Sequence, residues 1–155
     1  MSNAEVIEEK YEEAVSGMKE EWFNAIDTKW YDYVVGLPIR LQIVYLVVVL
    51  HNQIFNGGFH QYFVNGYGQF AKETINSLKI IGALKKAELL KEALETVNKE
   101  NSSDEVFRRQ LLNKEIAQLF SNDKLFEPLD KMDSAYYADE GEDVEKLLVY
   151  YLGRR

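Results

Sequence analysis

Residue types that usually form catalytic or metal sites are scarce in this 155-residue sequence, and each shortage excludes a class of site. Cysteine is absent, which excludes disulfide bonds, thiolate metal sites and a cysteine nucleophile. The two histidines, His51 and His60, are nine residues apart, whereas helical zinc sites usually place two histidines four residues apart. We therefore expect no metal site and no cofactor, and we expect His51 to be hydrogen-bonded within the core.

Signatures of catalysis are also missing. The sequence has neither a glycine-rich phosphate loop that ends in Lys-Ser/Thr nor a Gly-x-Ser-x-Gly elbow. Acidic residues surround Gly141, but they lack the alternating register of a calcium loop. We interpret them as helix N-terminal acids that the helix dipole stabilises. The protein is therefore predicted not to be an enzyme.

Long apolar runs are lacking as well. The longest, Leu41–Leu50, is interrupted by Gln42 and reaches about half the length of a membrane span, so it indicates a buried core helix. Residues 1–13 are acidic and contain neither the basic nor the apolar region of a signal peptide. The absence of cysteine fits a reducing compartment. We expect a cytoplasmic protein that does not interact with membranes.

Basic residues are outnumbered, since 18 Lys and Arg stand against 26 Asp and Glu, for a net charge of −8. Direct binding of nucleic acid needs basic side chains that replace counterions, so it is not expected. The negative charge is clustered near the two ends. Residues 1–27 and residues 123–146 each carry a net charge of −6, whereas the rest of the chain carries +4.

Hydrophobic residues make up 46% of the chain, and their spacing is helical throughout. We predict one all-α domain over residues 1–155, with about seven or eight helices around a central apolar helix at 38–54. An acidic N-terminal helix lies within 1–28. The predicted helices cover residues 4–24, 38–54, 57–64, 69–81, 83–99, 103–120, 125–137 and 141–152.

Helix ends are marked by short local patterns. Ser2 with Glu5 matches a capping box, and so does Ser102 with Glu105. Gly82 is expected just past the end of the helix at 69–81, in the left-handed conformation that glycine tolerates.

The first predicted helix carries an acidic row. Glu5, Glu9 and Glu12 or Glu13 recur at a spacing of about 6 Å along a helix, and a DNA strand presents a phosphate about every 3.4 Å. One interpretation is a solvated face that aids solubility. The other is a surface that contacts a basic partner.

A second unusual segment runs from Asn56 to Gly68, where two adjacent glycines precede aromatic residues and a histidine. One interpretation is a tight helix–helix corner with Phe59 and Phe63 facing the core. The other is a ligand site at a helix N-terminus, with polar side chains as contacts. The candidate ligand-binding residues are Asn56, Gly57, Gly58, Phe59, His60, Gln61, Tyr62 and Asn65.

The run Asn56-Gly57-Gly58-Phe59-His60-Gln61-Tyr62-Phe63-Val64-Asn65, with Leu37-Pro38 and Tyr45–Leu50 before it, resembles the signature of a bacterial family of DNA-mimic proteins. The resemblance covers residues 30–150. Within that range it includes Ile80–Ala83 and Asp133–Tyr137. It implies an all-α fold. For the characterised type it implies a dimer with an acidic surface like duplex DNA, which displaces a DNA-binding protein, such as a transcriptional regulator, from its operator.

We therefore predict a non-enzymatic, acidic interaction protein of the DNA-mimic type, whose partner is a DNA-binding regulator and whose implied assembly is a homodimer. The alternative is a small-ligand or peptide-binding domain, or an enzyme, with its site at Asn56–Tyr67. The acidic residues predicted to contact the partner are Glu5, Glu8, Glu9, Glu12, Glu13, Glu20, Glu127, Asp130, Asp139, Glu140, Glu142 and Asp143.

Overall fold

An apolar helix, α3 (Ile39–Val64), lies at the centre of the protein and is 26 residues long. The computed structural model describes residues 1–138 and 141–153, and these residues form helices and contain no strand. Residues Ile43–Val47 are buried in succession, so apolar side chains leave α3 on every side. A helix of this kind must be covered all round. The predicted all-α fold around a central apolar helix is confirmed.

The other helices surround α3. Helices α1, α4 and α8 pack directly against it, α1 also contacts α9, and α4 packs on α5 across the turn at Gly82. Of the helices in the described part of the chain, none combines the length and the apolar character needed to cross a bilayer. In chain order these helices are α1 (Asn3–Val15), α2 (Lys29–Val35), α3, α4 (Ala71–Ile81), α5 (Leu84–Val97), α6 (Asp104–Leu112), α7 (Ala117–Phe120), α8 (Phe126–Tyr137) and α9 (Val144–Leu152), with 3₁₀ turns at Glu20–Asn24 and Tyr67–Phe70.

Two of the three predicted helix caps are confirmed. The Ser2 and Glu5 side chains each bond the other's backbone N–H, which completes a capping box, and Gly82 has a left-handed φ of 92°. The cap of α6 was predicted one residue too early. The Ser103 hydroxyl, not that of Ser102, accepts the N–H of Val106 at 3.4 Å. The backbone N–H and carbonyl of Ser102 are held by the Asn98 side chain instead.

The helix predicted over 4–24 is wrong beyond Val15. The hydroxyl of Tyr33 donates to the carbonyl of Ala14 at 2.6 Å and accepts the N–H of Gly17 at 3.2 Å. The Tyr33 hydroxyl thus bonds the Ala14 carbonyl and the Gly17 N–H, two backbone groups that a further turn of α1 would otherwise pair within the helix. A Cβ on Gly17 would lie 3.0 Å from the Tyr33 ring, so a small residue suits this end.

Other boundaries also differ from the sequence prediction. The helices predicted over 38–54 and 57–64 are one helix, α3, which is bent at Gly58. Helix α2 was not predicted, although its Trp30 and Val34 side chains are buried. The helix predicted over 103–120 is interrupted at Lys114, whose φ of 57° is left-handed, and it forms α6 and α7 instead. A non-glycine residue in that region ends a right-handed helix.

Trp30 anchors α2 to the central helix. Its indole N–H donates to the hydroxyl of Tyr45 at 3.0 Å in a buried environment. The rings of Tyr67 and Phe70 meet the indole edge-on, with centroids 5.2 and 5.3 Å away. Edge-to-face contacts of this kind are favourable between aromatic rings, so this cluster holds α2 in place.

We expect Tyr45→Phe to lower the free energy of unfolding by about 1–3 kcal/mol, because the buried indole N–H of Trp30 would lose its acceptor. Urea unfolding monitored by circular dichroism measures the change. Tyr67→Phe is the matched control, since Tyr67 contacts the same indole and its hydroxyl has no hydrogen bond among the described residues. An equal loss in the two variants would contradict the prediction.

Candidate functional site

The outer face of α1 is acidic. Its inner face carries Ile7, Tyr11 and Ala14, which pack toward the core. The helix repeats every 3.6 residues, so the glutamates between these positions all point away from the core. The exposed glutamates of α1 are Glu5, Glu8, Glu9, Glu12 and Glu13.

Few of these charges are neutralised locally. Glu13 forms an ion pair with Lys10 at 3.4 Å, and Glu5 bonds Ser2 in the capping box. Among the described residues, Glu8, Glu9 and Glu12 have no ion pair. Exposed pairs such as Lys10–Glu13 are weak, so they leave most of the negative potential in place.

Glu20 does not continue this row. It is exposed, but it lies in the 3₁₀ turn Glu20–Asn24 beyond the end of α1 at Val15. Because Tyr33 ends the helix, the regular spacing of carboxylates stops at Glu13. Glu20 therefore adds charge to the same end of the chain without sharing the α1 face.

The second acidic segment occupies α8 and α9. Glu127 and Asp130 are exposed on α8, and Glu127 lies 3.7 Å from the ammonium of Lys131. Asp143 is the exposed N-cap of α9, where its carboxylate accepts the N–H of Lys146. The predicted contact residues Asp139 and Glu140 lie outside the described residues.

Glu142 has a different role from the one predicted. Its side chain is buried, and its two carboxylate oxygens accept the N–H groups of Lys85 and Lys86 at 2.6 and 2.9 Å. These N–H groups lie in the first turn of α5, which has no side-chain cap of its own. Glu142 therefore caps α5 from a distant segment, and its carboxylate is not available to a partner.

The glycine pair bends α3. Gly58 has φ 80° and ψ −175°, whereas the helix on either side is regular. Asp133 on α8 accepts the N–H of Phe59 at 2.7 Å, which caps the second half of α3. A Cβ on Gly58 would lie 2.0 Å from that carboxylate, so only glycine allows Asp133 to approach. Burial raises the pKa of the Asp133 carboxyl, and the hydrogen bond from Phe59 opposes that rise.

The aromatic residues of the segment build the core. Phe59, Tyr62 and Phe63 have no exposed surface, so a ligand does not reach their rings. Burial also raises the pKa of Tyr62, which keeps its hydroxyl protonated near neutral pH. The His60 ring lies edge-on to Phe126 with centroids 5.5 Å apart.

Two polar side chains of the segment bond the same residue, Gln53 of α3. The side-chain amides of Gln61 and Asn65 both donate to Oε1 of Gln53, at 3.0 and 2.9 Å. Asn56 and Gly57 are exposed. A cavity of about 520 Å³ adjoins the end of the segment, where Asn65 contributes to its wall. The contacts of Gln61 and Asn65 with Gln53 thus help to hold the bend together.

The two histidines serve separate contacts. Nδ1 of His51 lies 2.9 Å from the hydroxyl of Tyr136, whereas His60 packs on Phe126. Within the described part of the chain, no three His, Asp or Glu side chains are arranged to hold a metal ion.

Two acids that are absent from the list of predicted contact residues have definite positions in the structure. Glu145, exposed on α9, lines the same cavity as Glu8 on α1, so it joins the two acidic segments. Asp133 enters the sequence analysis only as the start of the family-like run Asp133–Tyr137, yet its carboxylate accepts the N–H of Phe59, 74 positions away along the chain. No local sequence signal marks a contact at that separation.

We expect Gly58→Ala to lower the free energy of unfolding by about 2 kcal/mol or more, because it combines a positive φ with the collision against Asp133. In an Asp133→Ala background the same change should cost about 1 kcal/mol less, since only the backbone strain remains. Urea unfolding of the four variants of the double-mutant cycle tests this coupling. Additive effects would contradict it.

Glu142→Ala should lower the free energy of unfolding by about 1–2 kcal/mol, because two backbone N–H groups of α5 would lose their acceptor. Glu145→Ala, which removes an exposed carboxylate three residues away, should change it by less than about 0.5 kcal/mol. Thermal and urea unfolding of the two variants provide the comparison. A larger loss for Glu145→Ala would show that Glu142 is not the cap of α5.

A family model described as DMP19-like protein matches residues 35–154. The match contains α3 to α9, including the bend at Gly58, whereas α1 and its glutamates precede it. No curated protein and no solved structure matches the chain. Because the match extends over most of the sequence, the chain belongs to the DMP19-like protein family, which is a family of DNA mimics.

Proposed function

We propose that this protein acts without catalysis and that its acidic surface occupies the DNA-binding surface of a DNA-binding regulator. The observation that supports the proposal is the outer face of α1, where the carboxylates of Glu8, Glu9 and Glu12 are exposed and unpaired among the described residues. Membership of a DNA-mimic family supports it independently.

The spacing of the charges suits a surface that normally contacts a phosphate backbone. Glu5, Glu9 and Glu13 follow one another at about 6 Å along α1, which is close to every second phosphate of a DNA strand at about 3.4 Å. Basic side chains that reach alternate phosphates would find a carboxylate at a comparable separation. Such an interface attracts its partner over a distance and weakens as salt is added.

The second acidic segment extends this surface. Helix α1 packs on α9, so the exposed acids Asp143 and Glu145 lie on an element adjacent to the glutamate row. Glu127 and Asp130 add negative charge on α8, which also packs against α3. Glu142 is left out of the proposed surface because its carboxylate is buried against α5.

The alternative site at Asn56–Tyr67 is not part of the proposal. The rings of Phe59 and Tyr62 are buried, and the amides of Gln61 and Asn65 bond Gln53. These contacts account for the segment as the bend of α3.

The experiment has two stages. Immobilised protein captures partners from a lysate of its own organism, and bound proteins are eluted with rising salt. A recovered DNA-binding protein is then given its DNA in a gel-shift assay. We expect added protein to release the DNA, and we expect Glu5→Gln/Glu9→Gln/Glu12→Gln to need about tenfold more protein, since each exposed charge pair contributes up to about 1 kcal/mol.

The matched control is Glu88→Gln/Glu92→Gln/Glu95→Gln, which removes the same charge from exposed positions of α5. It should compete as well as the unaltered protein, because net charge changes equally but the α1 face is kept. Equal weakening by both triple variants would show that net charge alone acts. The proposal would be overturned if the captured protein stayed bound at high salt, or if no basic partner were captured.

A further inference from the structure

A cavity of about 310 Å³ lies between α1, α3 and α9. Its floor is formed by Val47 and Leu148, which are buried. Half-buried Ile7, Val48 and Tyr11 form its walls. The half-buried His51 also lines the cavity, and its Nδ1 lies 2.9 Å from the hydroxyl of Tyr136. The rest of the interior is aliphatic and aromatic, and the volume lies near the lower end of the range for ligand pockets.

The rim of this cavity is acidic. Glu8 of α1 and Glu145 of α9 both line it, and both side chains are exposed. Neither carboxylate has an ion pair or a hydrogen bond among the described residues. The exposed Asn52 of α3 also lies on the rim. The two acidic segments of the chain therefore meet at the mouth of one apolar cavity.

The combination of an apolar interior and two unpaired carboxylates suits an aliphatic stem that ends in a cation. Lysine and arginine both bury their stems and keep the charged group near water. Arginine fits better for two reasons. Its guanidinium is less strongly hydrated than an ammonium, and its several donors reach more than one carboxylate at once.

We propose that this cavity receives the side chain of one arginine from the basic partner, which makes it the anchor point of the acidic surface. The inference rests on the proposed function, because the partner that supplies the arginine is the DNA-binding regulator. Glu8 and Glu145 bind the guanidinium, while Val47, Val48 and Leu148 surround the methylene groups. Arginine is enriched at the centres of interfaces, where buried anchors contribute most of the affinity.

A small-molecule probe tests the cavity without the partner. n-Propylguanidinium has the atoms of an arginine side chain, n-butylammonium has those of lysine, and n-propylurea is a neutral molecule of similar shape. Methyl NMR titration should show n-propylguanidinium shifting the signals of Val47, Val48 and Leu148, with about fivefold weaker binding of n-propylurea. Tighter binding of n-butylammonium, or no shift of these methyl groups, would overturn the assignment of arginine.

Three variants separate the contribution of the cavity from that of its charge. Glu8→Gln/Glu145→Gln should weaken n-propylguanidinium about fivefold, whereas Glu9→Gln/Glu12→Gln, with the same loss of charge, should leave its binding unchanged. Ala4→Leu adds a side chain at the exposed edge of the cavity and keeps the net charge. It should block the probe, and circular dichroism confirms that the helix is intact. Equal weakening by the two double variants would overturn the proposal.

Partner binding distinguishes this inference from the proposed function. Ala4→Leu should reduce displacement of DNA from the captured regulator although no charge has changed. If Ala4→Leu displaces DNA as well as the unaltered protein while the α1 triple variant does not, the arginine anchor is wrong and the acidic surface stands. If neither variant alters displacement, the proposed function is wrong as well.

Discussion

The burial of α3 governs where everything else in this protein lies. The helix is apolar on all sides, so each neighbouring helix gives one face to it and keeps the other for solvent. For α1 the buried face carries Ile7, Tyr11 and Ala14, which leaves the glutamates pointing outward as a group. The acidic surface is therefore a consequence of covering the core, because the charges of α1 have no other direction available.

Carboxylates also act inside the fold. Asp133 caps the second half of α3 where Gly58 bends it, and Glu142 caps α5. Both belong to the segment 123–146, whose net charge of −6 made it look like a second contact surface. Part of that charge is held against backbone N–H groups, where it stabilises helix N-termini. The net charge summed over residues 123–146 thus overstates the charge that a partner would meet. Helix α1, in contrast, exposes nearly all of its carboxylates.

The extent to which the sequence predicts this structure follows the separation of the interacting residues. The central helix, the capping box at Ser2 and the left-handed Gly82 all depend on neighbours within a few positions, and all three were predicted. The central helix, however, was predicted to end at residue 54, whereas it extends to Val64. The end of α1 depends on Tyr33, which bonds Ala14 across 19 residues, and the cap of α5 depends on Glu142 across 57. Contacts between residues so far apart in sequence are set by packing. Local patterns therefore predicted an end of α1 that lies too far along the chain, and they assigned Glu142 to the surface.

The hydroxyl of Tyr33 also sets the length of the glutamate row on α1. It stops α1 at Val15, so the regular row from Glu5 to Glu13 extends for about 12 Å. The half-sites of a two-fold operator are about 34–36 Å apart, one turn of DNA. Under the proposed function, the α1 row of one molecule is therefore too short to imitate the backbone beside two half-sites. The side chain that ends the first helix thus limits how much of an operator the α1 row alone can imitate.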